Sequence, residues 1–218
     1  MALTLPKGIQ FGFAPLVSTV ARPATALSNA KPAAATWATG STVIPDGTPV
    51  LLKASGWPLA NNKVSVVSGN VLLGLDTTDP QLFPTGKAGT VSAVTTGAFT
   101  DFTQQGDPTS SGGEQQFWTG TLLEDPLGRQ LSLPTFKNAK TLTIPLYFDP
   151  SEAWYDKAKT TDAKGEPVVL RAKMPNGDAL YWYGYLSFDA DPTIAANTPM
   201  GNTATFTIIG ESTLVRAQ

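Results

Sequence analysis

Residues 171–189 read RAKMPNGDALYWYGYLSFD. Pro175-Asn176-Gly177-Asp178 is a hairpin signal, because Asn-Gly accepts the positive φ that a tight two-residue turn demands. The limb after it, Ala179 to Phe188, alternates. Leu180, Trp182, Leu186 and Phe188 fall on one face, and Tyr181, Tyr183, Tyr185 and Ser187 on the other. The limb before it, Pro167 to Lys173, sets Val168, Leu170 and Ala172 against Val169, Arg171 and Lys173. Two period-two limbs joined by such a turn describe a half-buried antiparallel sheet.

The pattern continues on both sides. Thr203–Ile209 puts Ala204, Phe206 and Ile208 on one face and threonines on the other, and Lys140–Phe148 puts Leu142, Ile144, Leu146 and Phe148 opposite Thr141, Thr143, Pro145 and Tyr147. Pro145 cannot donate to a ladder, which places it at a sheet edge. One helix is expected, from about 150 to 162. Asp149 suits the N-cap, Pro150 the first helical position and Glu152 the third, and Gly165 the stop. Trp154 and Ala158 share the face that docks it on the sheet.

Upstream lies the least ordinary segment, Glu114–Ala139. Phe117–Leu123 and Arg129–Leu133 read as strands about the turn Asp125-Pro126-Leu127-Gly128, and Leu127, Leu131 and Leu133 sit beside Glu124 and Arg129. A two-stranded ribbon is marginal in water, so a long one with an apolar end asks for a partner. Residues 42–90 form a separate small all-β unit, with runs at Pro49–Ala54, Lys63–Ser68 and Asn70–Leu75 between turn signals. Residues 1–41 show no clear period. They read either as a disordered tail or, favoured by apolar residues such as Phe11, Phe13 and Leu16, as an extended arm that orders on a neighbour. The organisation is then an arm (1–41), a β insert (42–90) and a β domain (91–218).

Composition agrees. Among 218 residues, Thr (29), Gly (20) and Pro (18) favour strands and turns over helices. Cys and His are both 0, which excludes thiolate or imidazole metal sites, disulfides, and Ser-His or Cys-His nucleophiles. The net charge of −2 argues against a dedicated nucleic-acid binder. Charged residues are only 15%, so either the surface is very neutral or part of it is hidden in an assembly. No apolar run approaches the ~18 residues of a membrane span, and no signal peptide is read.

Carboxylate chemistry is all that remains for catalysis. Glu124-Asp125 and Asp189/Asp191 each stand before a proline, where turns favour acids for local reasons. Asp76 and Asp79 lack the spacing of a calcium loop, and GDPTSSGG (106–113) lacks the ending of a phosphate loop and reads as a connector. No catalytic residue, cofactor or metal is expected. Three tyrosines on one strand face could stack sugars, so a carbohydrate- or host-binding β-module is the alternative reading. A core or interface role for these rings is the first.

The C-terminal half resembles the tail tube proteins of long, non-contractile phage tails. The resemblance is carried by GGEQQFWTGTLLED (112–125), PTFKNAKTLTI (134–144), the capped helix, RAKMPNGDALYWYGYLSFD (171–189) and GNTATFTIIG (201–210). Residues 46–84 look like the β insert of one branch. The resemblance implies a β-sandwich-like barrel of two packed antiparallel sheets with a flanking helix, and a structural virion protein without enzyme activity. It implies hexameric rings, stacked into a tube through which DNA is ejected. Implied partners are other copies, a tape-measure protein in the lumen, terminator and distal tail proteins at the ends, and DNA in transit only. The hairpin of Glu124, Asp125, Leu127, Arg129, Leu131, Leu133 and Phe136 matches the ring-stacking loop, and the N-terminal arm could add a second inter-ring contact. The chain would be made in the host cytoplasm. The inner tube of a contractile tail shares the fold.

Overall fold

Alternation of β-branched and aromatic residues with Gly and Pro turns yields a mainly β chain with one helix. The computed structural model describes residues 7–121 and 127–217. The first ladder comprises β1 (Gln10–Leu27), β2 (Ala33–Trp37), β3 (Pro49–Ala54), β4 (Lys63–Ser68), β5 (Val71–Leu73) and β6 (Val91–Thr96). Its antiparallel pairs run β1–β2, β2–β5, β5–β4, β4–β3, β3–β6 and β6–β1, so the sheet closes on itself as a six-stranded barrel. Val50, Leu52, Trp57, Leu72 and Phe83 fill it, and the Trp57 indole donates to the Pro84 carbonyl (3.0 Å).

The second unit contains β7 (Thr100–Asp101), β8 (Thr109–Ser111), β9 (Gln115–Thr121), β10 (Gln130–Lys137) and β11 (Lys140–Tyr147). After these come α1 (Ala153–Lys164), β12 (Val168–Lys173), β13 (Ala179–Thr193), β14 (Gly201–Ile208) and β15 (Thr213–Val215). Here β1, β12, β13, β14 and β11 pair in that order. The segment from β7 to Gly106 closes the ring. Its first residues pair with β1, and Gln105 bridges to Leu146 of β11. Gly12 permits this closure, because a Cβ there would overlap the Asp101 carboxylate and press on the Thr100 carbonyl. With no side chain between them, Arg171 reaches across Gly12 to Asp101 (2.7 Å). The Pro145 carbonyl accepts from Gly106 N–H on the side away from β14, so its missing donor costs no bond in the β11–β14 ladder.

The second core holds Phe13, Phe102, Ile144, Leu170, Leu186, Phe188 and Phe206. Helix α1 closes one side of it through Trp154 and Ala158. The Trp154 ring meets Phe102 and Phe188 edge-on, and its N–H donates to Thr103 Oγ1 (2.9 Å). The helix starts later than expected. Asp149 spends its carboxylate on Ser151, accepting from its N–H (3.0 Å) and its hydroxyl (2.6 Å), and Glu152 becomes the N-cap. Gly165 ends the helix in the left-handed region, φ 62°.

The N-terminal segment differs most from its sequence reading. It is extended, but as an 18-residue strand shared by both barrels, not as an arm laid on another subunit. Gln10–Pro15 pairs with β12, and Ala21–Leu27 pairs with β6 and β2. Phe11 and Phe13 are buried in the chain's own second core, so they are not available to a neighbouring ring, and Leu16 packs between the barrels. The small β unit therefore begins within β1, and the pairing does not divide at residues 41 and 90. The 106–113 stretch is also not a plain connector, since Thr109–Ser111 pairs with β11. A third cluster joins the barrels: Leu51, Val64 and Val66 from the first against Val169, Tyr181 and Tyr183 from the second.

Candidate assembly surface

Strands β8 and β11 are the rooted end of a hairpin that continues outward. Thr109 pairs with Thr143 and Ser111 with Thr141. Beyond a break at Gly112 and Ala139 the ladder resumes with Gln115 opposite Lys137 and runs to Thr121 opposite Gln130. In this outer part β9 and β10 pair only with each other among the described residues.

Every residue of β10 is exposed. Leu131 and Leu133 lie opposite Gly120 and Trp118 on one face, and Pro134 lies opposite Phe117 on the other. The Trp118 ring rests over Gly120, where any side chain would collide with it. Phe117, Trp118, Leu131, Leu133 and Phe136 all remain solvent-exposed, Phe136 at 68%. Apolar residues of this size on both faces of an unsupported ribbon mark an interaction surface. Of the seven hairpin residues singled out in sequence, Leu127, Arg129, Leu131, Leu133 and Phe136 are on this element, and Glu124 and Asp125 lie outside the described residues. Sequence reasoning left out Phe117 and Trp118, although the FW pair two residues before Gly120 marks them.

The acidic pairs are local devices. Asp189 accepts from Asp191 N–H (3.1 Å) and Asp79 from Gln81 N–H (2.9 Å). Asp76 pairs with Lys31 (2.7 Å) and accepts from Thr78, which together hold its carboxyl well below the usual range. The Ser151 bonds lower Asp149 in the same direction. The tyrosine face is mostly internal. Tyr181 and Tyr183 are buried between the barrels, where desolvation raises both phenols, and only Tyr185 of the three is exposed. Lys53 lies over the Tyr183 ring, and burial lowers its ammonium. Among the described residues, no helix is long and apolar enough to cross a membrane.

Two closed barrels carrying a projecting apolar ribbon are the build of a self-assembling structural subunit. The sequence profile described as phage tail tube protein, TTP, matches residues 55–217, and the chain belongs to that family. Its role is structural, as a tube subunit that associates with its own kind in the tail of the particle. No curated protein matches the chain. Among solved structures it is similar to a chain in the tail of an empty gene transfer agent particle, refined helically with C6 symmetry. That match has 14% identity and a TM-score of 0.40, over 56% of this chain and 88% of the other. It is similar also to a chain in the virion of a native gene transfer agent particle. There the identity is 14% and the TM-score 0.39, over 54% of this chain and 88% of the other.

Proposed function

We propose that the chain forms rings of six that stack through the β9–β10 ribbon into a hollow, non-enzymatic conduit. The observation that carries this reading is the ribbon itself. It holds six exposed large apolar residues, Leu127 included, and among the described residues its two strands pair only with each other. Such an element is marginal alone and gains stability when its faces are covered. Leu131, Leu133 and Phe136 supply the stacking contact together with Leu127 and Arg129, and Glu124 and Asp125, which lie outside the described residues, are assigned to the same contact by their sequence position alone. The lumen takes a tape-measure protein and later DNA, and terminator and distal tail proteins cap the ends. A two-sheet sandwich description fits the second barrel where helix α1 covers one side. The sugar-binding alternative loses its platform, because Tyr181 and Tyr183 are buried inside the subunit.

The test is negative-stain microscopy with sedimentation at rising protein concentration. Rings or tubes of uniform width are expected from the full chain. A variant with residues 115–137 replaced by a short Gly-Ser turn should fold and give rings without stacks. Tubes of ordinary length from that variant would overturn the stacking role.

A further inference from the structure

The stacking reading requires a second surface, and this inference rests on that reading. A ribbon that meets its own copy makes a closed two-fold pair, whereas a ribbon that meets a different patch can repeat without limit. The ladder indicates where to look. The ribbon leaves the second barrel at the Lys140 end of β11, because β8 and β11 are its rooted continuation. Tyr147 is the opposite end of the same strand. Seven residues at about 3.3 Å each separate these ends by about 23 Å.

An apolar patch stands at that opposite end. Tyr147 pairs with Gly201, and Gly201 also pairs with Thr193. The Phe148 N–H donates to the Met200 carbonyl (2.9 Å). The connection from β13 to β14 therefore folds against the end of β11 and brings three large apolar residues to the same end of the sheet. Ile194 is 78% exposed, and Tyr147 and Met200 are exposed at the same end. A single exposed apolar residue needs no explanation, but three around one strand end form a patch.

We propose that Tyr147, Ile194 and Met200 are the seat on which the β9–β10 ribbon of the next copy docks. The occupant follows from the placement. Among the described residues, the ribbon carries the largest set of exposed apolar side chains, and it projects from one end of the ladder whose other end carries the seat. A contact between the two is head-to-tail, and it advances the next copy along the direction of β11. A seat beside the ribbon's root would instead fold the contact back within one layer.

The chain contains no cysteine, so introduced thiols are unique. Tubes of the double variant Leu133→Cys/Ile194→Cys are treated with a short bismaleimide and run on a denaturing gel. The expected result is a ladder of covalently joined copies, with monomer only from either single variant. The control pairs Leu133→Cys with Leu82→Cys, an exposed site in the loop between β5 and β6. A ladder from the control and none from the Ile194 pair would overturn the seat while leaving stacking intact. A dimer from Leu133→Cys alone would overturn it too, by showing ribbon against ribbon. Failure of the unmodified chain to form tubes would strike the stacking reading itself. Separately, Ile194→Asp should raise the concentration needed for tubes by roughly tenfold or more, since it removes a buried apolar contact from every junction. Its melting should not change, because the side chain touches little within the subunit. Unaltered assembly of Ile194→Asp would also overturn the seat.

Discussion

Trp118→Ala separates folding from assembly. The ring is 50% exposed and rests over Gly120 on a ribbon that joins neither barrel core. A tryptophan carries on the order of 200 Å² of buriable surface, so about 100 Å² remains open in the free subunit. Covering it in a stacked neighbour contributes about 2.5 kcal/mol at 25 cal/mol per Å². On the proposed stacking, its loss would weaken each subunit's contact about 70-fold. Global unfolding should change by under ~0.5 kcal/mol, the usual range for a surface change outside the core. Sedimentation velocity across a dilution series reads the first effect, and denaturant unfolding of the dispersed subunit reads the second. An unchanged assembly threshold would refute the stacking role of this face. A loss of more than ~1 kcal/mol in the subunit would refute the claim that the ribbon lies outside the folding unit.

Trp154→Ala should act in the opposite way, costing about 3–5 kcal/mol in denaturant unfolding, because the ring is buried among Phe102, Phe188 and Tyr155 and holds α1 to the barrel. Gly12→Ala should cost about 1–3 kcal/mol in the same assay, since the added methyl displaces Asp101 and breaks its pair with Arg171. Burial raises Tyr181 and Tyr183 above the ordinary 10.0, so the unfolded chain loses these protons first. Their contribution to stability is full below about pH 10 and is lost as pH rises through the folded-state values. Replacing both by Phe should flatten that alkaline decline in a thermal-melting series.

Where local period and burial agree, the sequence is legible. The limbs around Asn176-Gly177 pair as read, Val168 with Gly184 through Lys173 with Ala179. β3 and β4 fall on the runs Pro49–Ala54 and Lys63–Ser68. Strand β1 was hidden for a physical reason. Phe11 and Phe13 face the second core, but the five steps from Leu16 to Ala21 on β1 span only the two steps from Thr96 to Val94 on β6, and the strand then serves the first barrel. That shift breaks the period-two phase, and Pro15 and Pro23 within it read as punctuation. The tyrosine face was ambiguous for a different reason. Alternation shows that Tyr181 and Tyr183 share a side, but not that Leu51, Val64 and Val66 lie against them, because that contact joins distant parts of the chain. The ribbon's exposure was half legible: its apolar residues could be read, but that no other strand among the described residues covers it is a property of the tertiary fold.

The two closures bear on how this subunit associates. A barrel has no free edge, so most backbone donors and acceptors of β1–β6 and of β11–β14 are satisfied within the chain. The long unpaired edges that remain among the described residues belong to the ribbon, where indiscriminate strand addition would be a hazard. Pro134 removes one donor from β10, and the register shift between Pro134 and Lys137 is an irregularity of the kind that bends an edge away from flat pairing. With the edge blunted, association falls to the side-chain faces of the ribbon. Side chains select by shape, whereas backbone edges accept almost any extended segment. A ribbon guarded in this way can present Trp118, Leu131 and Leu133 to one matching surface without accepting every extended segment it meets.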